Sequence, residues 1–306
     1  MAAAYRIALT ADLHWGSHAA GDSATLALVE HLRAEPPDVL ILAGDVGADE
    51  CFEPCLGLFG DLPTAHKLVV PGNHDIWVRA DDARGDSWQV YTQHLPQLCQ
   101  RQHFHYLDAG PLILPEHDLA IVGTINWYDY SWSLAELAQA GRDDWQERLA
   151  RKWFTRGFHN DARFVRWPLT DADATERIVA TFGVHLQQAL DAARWLIVVT
   201  HHPPIRAVSF PIPDPPSFDD LLWEAFAGNT AMQTLLSEQA DRIHHIFCGH
   251  THRARSASWQ GIDCHNIGGD YHRKRLLTLD WPGGVVSASE FEPLVAARPR
   301  RERHQG

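Results

Sequence analysis

Residues 68–75, Leu-Val-Val-Pro-Gly-Asn-His-Asp, are the stretch from which the rest of the fold is inferred. The three apolar residues at its start, two of them β-branched, predict a short buried strand. The Pro-Gly pair then ends the strand and turns the chain. Asn73, His74 and Asp75 follow at once, so an amide, an imidazole and a carboxylate stand together at a strand end. Such a run is also typical of a polar surface loop, so a functional site here is a hypothesis that other stretches must support.

Two earlier segments repeat this arrangement. Residues 5–10 predict a first strand, and Asp12 and His14 follow it directly. Because residues two apart in extended backbone point to the same side, this carboxylate and this imidazole are able to hold one cation together. Residues 38–43 predict a buried strand of the parallel type, which runs into Gly44-Asp45. The first part of the chain therefore reads βαβαβ, with polar groups at each strand end.

Two later segments complete the pattern. Residues 195–200 predict a buried strand that ends in His201. Residues 243–248 also predict a strand, and His250 and His252 follow it. In open α/β sheets, ligands bind in the crevice beyond the carboxyl ends of the strands. The polar groups at all five strand ends are therefore expected to meet at one site.

The polar groups at these strand ends are of three kinds, namely carboxylate, imidazole and amide oxygen. The seven candidate metal ligands are Asp12, His14, Asp45, Asn73, His201, His250 and His252. Nitrogen and oxygen ligands without thiolate suit manganese, iron, zinc or similar ions and do not select one of them. Seven ligands are too many for one ion and are right for two, provided that one carboxylate bridges the ions.

At these positions the sequence resembles the calcineurin-like metallophosphoesterase superfamily. The matching blocks extend from position 12 to position 252 and occur in the family's order: Asp12-Leu13-His14, Gly44-Asp45, Gly72-Asn73-His74-Asp75, His201 and Gly249-His250-Thr251-His252. Each block alone is weak evidence, whereas the five together are highly specific. The resemblance implies an α/β (α+β) fold, a four-layer sandwich of two mixed β-sheets flanked by helices.

The resemblance also implies a dinuclear metal centre, with a metal-bridging hydroxide as nucleophile in the hydrolysis of a phosphomonoester or phosphodiester. Carried over residue by residue, Asp12, His14 and His252 would bind the first metal and Asn73, His201 and His250 the second, with Asp45 bridging. His74 would be the catalytic acid that contacts the phosphate, with the second catalytic residue, Asp75, behind it. The sequence departs from the family pattern at none of these positions, which favours a working enzyme.

A single domain is expected over residues 1–292, followed by a basic, disordered tail over 293–306. Residues 127–168 lie outside the family's blocks and are rich in tryptophan and arginine, which predicts an insertion of short helices. One interpretation is a cap whose aromatic rings and guanidinium groups hold a phosphate ester. The other is a helical elaboration that packs on the core by its tryptophans.

Several residues near the predicted strand ends are candidates for substrate contacts. Asn126, Tyr128 and Arg206 form the predicted substrate-binding set, with Tyr130 as a further candidate. Residues 270–272 follow two glycines and are expected near the rim of the site. His202 alternates with its neighbour in the chain, and is interpreted as a packed histidine.

Helices are predicted over residues 51–59 and 91–103, and over three further stretches, the first two of which have apolar residues at helical spacing. The first spans residues 23–34 with Ser23 as its N-cap, the second spans residues 173–193, and the third covers residues 221–239.

Composition limits the partners and the compartment. The formal net charge is −13 over 306 residues, which argues against broad non-specific DNA binding. It does not exclude an anionic substrate, because bound divalent cations would invert the local field. Five cysteines without a Cys-x-x-Cys pair indicate reduced thiols, and neither a signal peptide nor an apolar run of membrane-spanning length is evident. A cytoplasmic protein without a membrane partner is expected.

Three functions remain open from the sequence. The first is a cytosolic metal-dependent phosphoesterase for a small or medium-sized substrate. The second is a DNA nuclease of the double-strand-break-repair type, which the acidic balance and the lack of a basic stripe disfavour. The third is a non-catalytic, metal-stabilised interaction scaffold, which the presence of His74 disfavours because such proteins usually lose this histidine or metal ligands.

Overall fold

The computed structural model describes residues 5–293, so the predicted tail from residue 294 onward lies outside the described residues. The described strands are β1 (Tyr5–Thr10), β2 (Val39–Ala43), β3 (His66–Val70), β4 (His105–Tyr106), β5 (Leu112–Leu114), β6 (Leu119–Thr124), β7 (Trp195–Thr200), β8 (Ile243–Cys248), β9 (Arg255–Trp259), β10 (Ile262–Asn266), β11 (Lys274–Trp281) and β12 (Val285–Phe291).

The α-helices alternate with the strands in the first part of the chain and cluster in the middle part. They are α1 (Ala19–Ala34), α2 (Phe52–Leu58), α3 (Ser87–Gln89), α4 (Leu95–Arg101), α5 (Leu134–Gln139), α6 (Trp145–Arg151), α7 (Asp161–Phe164), α8 (Asp171–Ala192), α9 (Phe218–Ala225) and α10 (Thr230–Ser237). A π-helical turn, Val90–His94, joins α3 to α4. None of the helices in residues 5–293 is long and apolar enough to cross a membrane.

The described strands form two six-stranded mixed sheets. The first has the order β12-β11-β1-β2-β3-β4, and the second has the order β5-β6-β7-β8-β10-β9. In the first sheet β1, β2 and β3 are parallel, whereas β11 runs antiparallel to β1. In the second sheet β6, β7 and β8 are parallel. Each sheet therefore presents the carboxyl ends of several parallel strands at one edge.

The two sheets pack face to face through alternate residues of their central strands. One buried cluster contains Ile7 and Leu9 of β1 together with Ile197 and Val199 of β7. The residue between the first two, Ala8, instead belongs to the cluster on the opposite face of its sheet. This alternation follows from the period of two in a β-strand and explains why the strands are apolar on both faces.

Helices cover the outer face of each sheet. On the first sheet, Leu28 of α1 and Phe52 of α2 are buried in one cluster with Leu40 of β2. On the second sheet, Phe182 of α8 and Met232 of α10 are buried in another cluster. The order helix, sheet, sheet, helix confirms the predicted four-layer α/β sandwich.

The helix boundaries differ from the sequence prediction at two places. The first helix begins at Ala19, and its N-cap is His18 rather than Ser23, which lies inside the helix. The predicted helix over residues 221–239 is two helices, because Asn229 starts a new one by accepting a hydrogen bond from the backbone N–H of Met232. An asparagine in this position competes with a continuous helix for the backbone donors.

Residues 127–168 contain the short helices α5, α6 and α7, as their composition predicted. Trp127 and Trp132 are almost fully buried, and the indole N–H of Trp127 donates to Asp171 at 2.8 Å. The start of this segment is thus part of the core. A later portion, residues 154–160, lies beside the site described next.

Candidate metal centre

The five strand ends singled out from the sequence converge at one edge of the sandwich. Asp12, Asp45 and Asn73 follow β1, β2 and β3 of the first sheet, whereas His201 and His250 follow β7 and β8 of the second. Backbone hydrogen bonds fix neighbouring ends against each other. The N–H of Asp12 donates to Gly44 at 3.0 Å, and the N–H of Gly249 donates to His201 at 3.0 Å.

A first ligand set consists of Asp12, His14, Asp45 and His252. Each side chain offers one ligand atom, and these atoms lie within 4.8 Å of one another. The Nε2 atoms of His14 and His252 are 2.9 Å apart. The Oδ2 atoms of Asp12 and Asp45 are buried and have no hydrogen-bond partner. Buried carboxylate oxygens without a donor are costly unless a cation neutralises them, so this set fits a metal ion.

A second ligand set surrounds the amide oxygen of Asn73. This Oδ1 atom lies 3.1 Å from Nε2 of His201 and 3.2 Å from Nδ1 of His250. The Nε2 atom of His201 is also 3.3 Å from Oδ1 of Asp45. Asp45 thus has one oxygen beside the second set and the other beside His14 of the first, at 3.7 Å.

The backbone around these side chains adopts uncommon conformations. Five of the seven predicted ligands have a positive φ, between 44° and 71°: Asp12, His14, Asp45, His250 and His252. Residues other than glycine are uncommon there, and such strain clusters at functional sites. Two glycines are needed here because side chains of the site lie too close to their Cα atoms to leave room for a Cβ. A Cβ at Gly44 would lie 2.2 Å from Nδ1 of His201, and a Cβ at Gly72 would lie 2.1 Å from Oδ1 of Asp45.

The electrostatics of the site also suit a cation. Burial raises the pKa of Asp45, but the nearby His201 and His74 outweigh it and hold this pKa well below its usual range. Burial lowers the pKa of both His14 and His250 well below the usual value. Ionised carboxylate and neutral imidazole are the forms that bind metal ions.

His201 is held by the backbone as well as by the carboxylates. Its Nδ1 lies 3.0 Å from the carbonyl oxygen of Ala43, so the Nδ1–H donates there and Nε2 faces the ligands. Burial lowers the pKa of this histidine, but Asp45 and Asp12 raise it to about 9. The two carboxylates therefore favour positive charge close to His201.

Asp161, which the sequence did not single out, fixes the orientation of Asn73. Its Oδ1 accepts a hydrogen bond from Nδ2 of Asn73 at 2.9 Å and another from Trp77 at 2.8 Å. Its Oδ2 accepts one from the hydroxyl of Tyr128 at 2.9 Å. A carboxylate can only accept, so the amide nitrogen must face Asp161 and the amide oxygen must face His201.

His74 and Asp75 are separated by the fold. The His74 ring stacks on Trp77, with 3.6 Å between ring centroids, and its Nε2 lies 3.8 Å from Oδ2 of Asp45.

Asp75 does not support the His74 ring, which corrects its predicted position behind His74. Its carboxylate is fully buried and accepts from the N–H groups of Gly47 at 3.0 Å and Gly72 at 2.7 Å. Burial and the charge of Asp45 raise the pKa of Asp75 to about 7. Asp75 ties two strand-end loops together.

The structure places the three predicted substrate-binding residues away from the cavity at this site. Asn126 is fully buried and donates to the carbonyl oxygens of residues 202 and 203 at 3.1 Å. Tyr128 is fully buried and donates to Asp161. Arg206 binds Glu224 at 3.1 Å and the carbonyl oxygen of Trp132. Each polar end has an internal partner, so we assign none of the three a substrate contact.

A cavity of about 490 Å³ opens over the two ligand sets. Its floor includes Asp45, Asn73 and His74, and Tyr271, one of the residues expected at the rim, lines its side. The Tyr271 ring stacks on that of His14, with 4.3 Å between centroids. His202 is instead fully buried, as its interpretation as a packed histidine requires.

The chain belongs to the calcineurin-like phosphoesterase family, whose model matches residues 5–254. It is thus a hydrolase that acts on phosphoesters, in a family that uses divalent metal ions. No curated protein sequence matched the chain.

Solved structures show the same fold. A phosphopantetheinyl hydrolase from Mycobacterium tuberculosis is 21% identical, with a TM-score of 0.69 and coverage of 89% of this chain and 92% of the other. A dimetal phosphatase from Danio rerio is 12% identical, with a TM-score of 0.55 and coverage of 95% of this chain and 100% of the other. At these identities the likeness is one of fold.

Proposed function

We propose that the protein hydrolyses phosphomonoesters or phosphodiesters with a dinuclear metal centre. Asp12, His14 and His252 would hold one ion, Asn73, His201 and His250 would hold the other, and Asp45 would be shared. Manganese, iron and zinc suit this set of nitrogen and oxygen ligands. Bound ions would supply concentrated positive charge and lower the pKa of a coordinated water.

The position of Asp45 carries this proposal. Its Oδ1 is 3.3 Å from His201 of the second ligand set, whereas its Oδ2 lies 3.7 Å from His14 of the first set and has no hydrogen-bond donor. Oδ1 also accepts a hydrogen bond from the backbone N–H of His74 at 2.9 Å, which leaves a carboxylate oxygen with capacity for a cation. Each oxygen of the carboxylate therefore lies beside a different ligand set. A single-ion site would not need a carboxylate placed between two groups of imidazoles.

His74 is the residue that we assign to the leaving group. Its side chain lines the cavity floor and is 14% exposed. Its ring is held by Trp77, and it stands over the shared Asp45. From there the imidazole can contact a phosphoryl oxygen and donate a proton to the departing oxygen.

The test compares p-nitrophenyl phosphate with bis-p-nitrophenyl phosphate in the presence of Mn²⁺. Faster turnover of the first indicates a monoesterase, and faster turnover of the second indicates a diesterase. His74→Ala is expected to lose most turnover while binding two metal ions, and Asp45→Asn is expected to lose metal from both positions. Full activity in His74→Ala would remove its assigned role, and two full-strength ions in Asp45→Asn would remove the shared ligand.

The same assay separates the other candidate functions. Degradation of linear DNA would favour the nuclease, and two bound ions without turnover of any ester would favour the scaffold. A phosphopantetheinyl ester belongs among the substrates tested, because that activity is in the name of the Mycobacterium tuberculosis structure.

We also propose a cytoplasmic protein, with a nucleic-acid partner disfavoured but not excluded. All five cysteines are free, and four of them are buried, which suits a reducing compartment. The net charge of −13 opposes binding to a polyanion away from the metal ions.

A further inference from the structure

We propose that the cavity selects phosphoesters whose leaving group carries both a planar or apolar portion and a second anionic group. This inference rests on the proposed function and adds the class of substrate. Its basis is the upper part of the cavity, where aromatic rings and two arginines surround the space over the metal ligands.

An aromatic wall, defined as Phe154, Phe158, Phe210 and Trp223, forms one side of the cavity. The Phe154 and Trp223 rings stack with 4.5 Å between centroids, and Phe210 lies 5.5 Å from Trp223. These rings come from three separate parts of the chain: the segment before α7, the loop after β7, and α9. Trp223 contacts the other two of these three rings, so their packing holds this part of the wall in place.

The wall keeps large apolar faces in contact with solvent. Phe158 is 45% exposed and Trp223 is 40% exposed, although both line a concave site. Exposed aromatic rings at such a site favour a ligand that covers them, because its apolar or planar portion is removed from water as it stacks. Inorganic phosphate or a small polar ester would leave them uncovered.

Two arginines that line the cavity have guanidinium groups without a partner among the described residues. Arg156 and Arg253 are exposed, and among the described residues neither guanidinium makes an ion pair or a hydrogen bond. The protein has a net charge of −13, so two unpaired guanidinium groups beside one cavity make the local charge there more positive than that of the protein as a whole. Guanidinium groups bind phosphate and carboxylate strongly, so they fit an anionic group of the substrate.

The reacting phosphoryl group does not account for these arginines. The cavity lining already provides members of both ligand sets and His74 for that group: Asp45, Asn73, His250 and His252. Arg156 belongs to the segment that also carries Phe154 and Phe158, so one of the two arginines lies close in sequence to two of the four aromatic rings.

The experiment uses three substrates of the metal-loaded enzyme. Glycerol 2-phosphate has neither feature, adenosine 3′-phosphate has the ring system alone, and adenosine 3′,5′-bisphosphate has both, and all three are alkyl esters with leaving groups of similar basicity. We expect kcat/KM to rise in that order. Phe158→Ala should lower kcat/KM about tenfold for the two ring-bearing substrates and leave glycerol 2-phosphate unchanged.

The double variant Arg156→Ala/Arg253→Ala should lower kcat/KM for the bisphosphate by about tenfold or more, mostly through KM, and leave that for adenosine 3′-phosphate within about twofold. Trp153→Ala is the matched aromatic control, since Trp153 is 39% exposed on the same segment but does not line this cavity. Arg33→Ala on α1 is the control for loss of a positive charge.

Failure of this inference can be distinguished from failure of the proposed function. Hydrolysis of all three substrates at similar rates, or equal effects of the wall and control variants, would overturn the inference and leave the proposed function intact. If no phosphoester is hydrolysed, the proposed function fails, and calorimetric binding of adenosine 3′,5′-bisphosphate still tests the cavity. Weaker binding by the double arginine variant than by the wild type would then support the inference, and equal affinity would reject it.

Discussion

Asp161 shows how one residue outside the metal ligands can decide whether a ligand is usable. An asparagine side chain rotates freely between its oxygen and nitrogen faces, and only the oxygen binds a cation. Asp161 removes this freedom by accepting the amide N–H at 2.9 Å. It also accepts hydrogen bonds from the indole N–H of Trp77 and the hydroxyl of Tyr128, so it holds three side chains in place beside the second ligand set.

Replacing Asp161 by alanine is therefore expected to weaken metal binding at Asn73. The affinity for the second ion should fall at least about tenfold, because Asn73 loses its fixed orientation. The buried donors left behind should also lower the free energy of unfolding by about 1–3 kcal/mol. Calorimetric metal titration and urea unfolding measure the two effects.

Asp161→Asn is the matched control because it keeps one acceptor oxygen, and it should recover part of the metal affinity. An alanine variant that binds two ions as tightly as the wild type would show that Asn73 is oriented by other contacts.

Asp75 differs from its neighbour His74 in what it stabilises. Asp75→Ala leaves the buried N–H groups of Gly47 and Gly72 without acceptors. The free energy of unfolding should fall by about 2–4 kcal/mol, whereas His74→Ala should change it by less than about 1 kcal/mol. Paired urea unfolding curves of the two variants check this. Equal stability of both would mean that Asp75 does not hold the loops.

The sequence predicts the candidate metal ligands better than it predicts the residues that hold those ligands in position. Asp12, Asp45 and His250 are recognisable because each follows a predicted strand and belongs to a short motif. Asp161 lies 88 residues from Asn73, in a segment without a clear periodic pattern, and their contact exists only after the segment folds back. The local order of residues also suggested that Asp75 serves His74, but a tight turn directs the two side chains to different partners.

At the scale of the elements, the turn after β3 brings two strand ends into close contact. Gly72 has a negative φ, so alanine is not excluded by the backbone there, yet a Cβ would lie 2.1 Å from Oδ1 of Asp45. Gly72→Ala should displace the shared carboxylate, lower the affinity for both ions, and reduce stability by about 1–3 kcal/mol.

Gly183→Ala in α8 is the control for this substitution. Its Cβ would meet the closest atom at 3.9 Å, which is ordinary contact, and alanine favours a helix. It should retain both metal ions. Metal content of the purified variants is the measurement, and a Gly72→Ala protein with two ions at full affinity would contradict the steric argument.

The core elements follow from the sequence more directly than their boundaries do. The strands β2 and β7 are nearly continuous apolar runs, which are typical of buried strands in a parallel sheet. The edge strand β9 is missed because its residues, Arg-Ser-Ala-Ser-Trp, carry little apolar pattern and pair with β10 only once the sheet exists. The start of α1 is missed because His18 caps it without a side-chain hydrogen bond, which leaves no local signal.

At the scale of the whole molecule, the two sheets meet at a site that concentrates buried polar groups. The sandwich core is apolar, but its edge holds Asp12, His14, Asp45 and His201, all of them less than 4% exposed. Burial raises the pKa of Asp12, which means that its charge is unfavourable without a counter-ion. Metal ions that bind the folded chain and not the unfolded chain should therefore stabilise the entire domain.

Removal of metal is expected to lower the melting temperature. With free metal at about 100 times its dissociation constant, linkage contributes about 2.7 kcal/mol for each ion, which for a chain of 306 residues corresponds to about 4 °C per ion. Calorimetric scans with Mn²⁺ and with a chelator measure the shift. Asp45→Asn should show little dependence on metal, because both ligand sets use this carboxylate. If the wild type melts at the same temperature in both conditions, the buried carboxylates are stabilised by the protein alone, and the two ligand sets do not act as a metal centre.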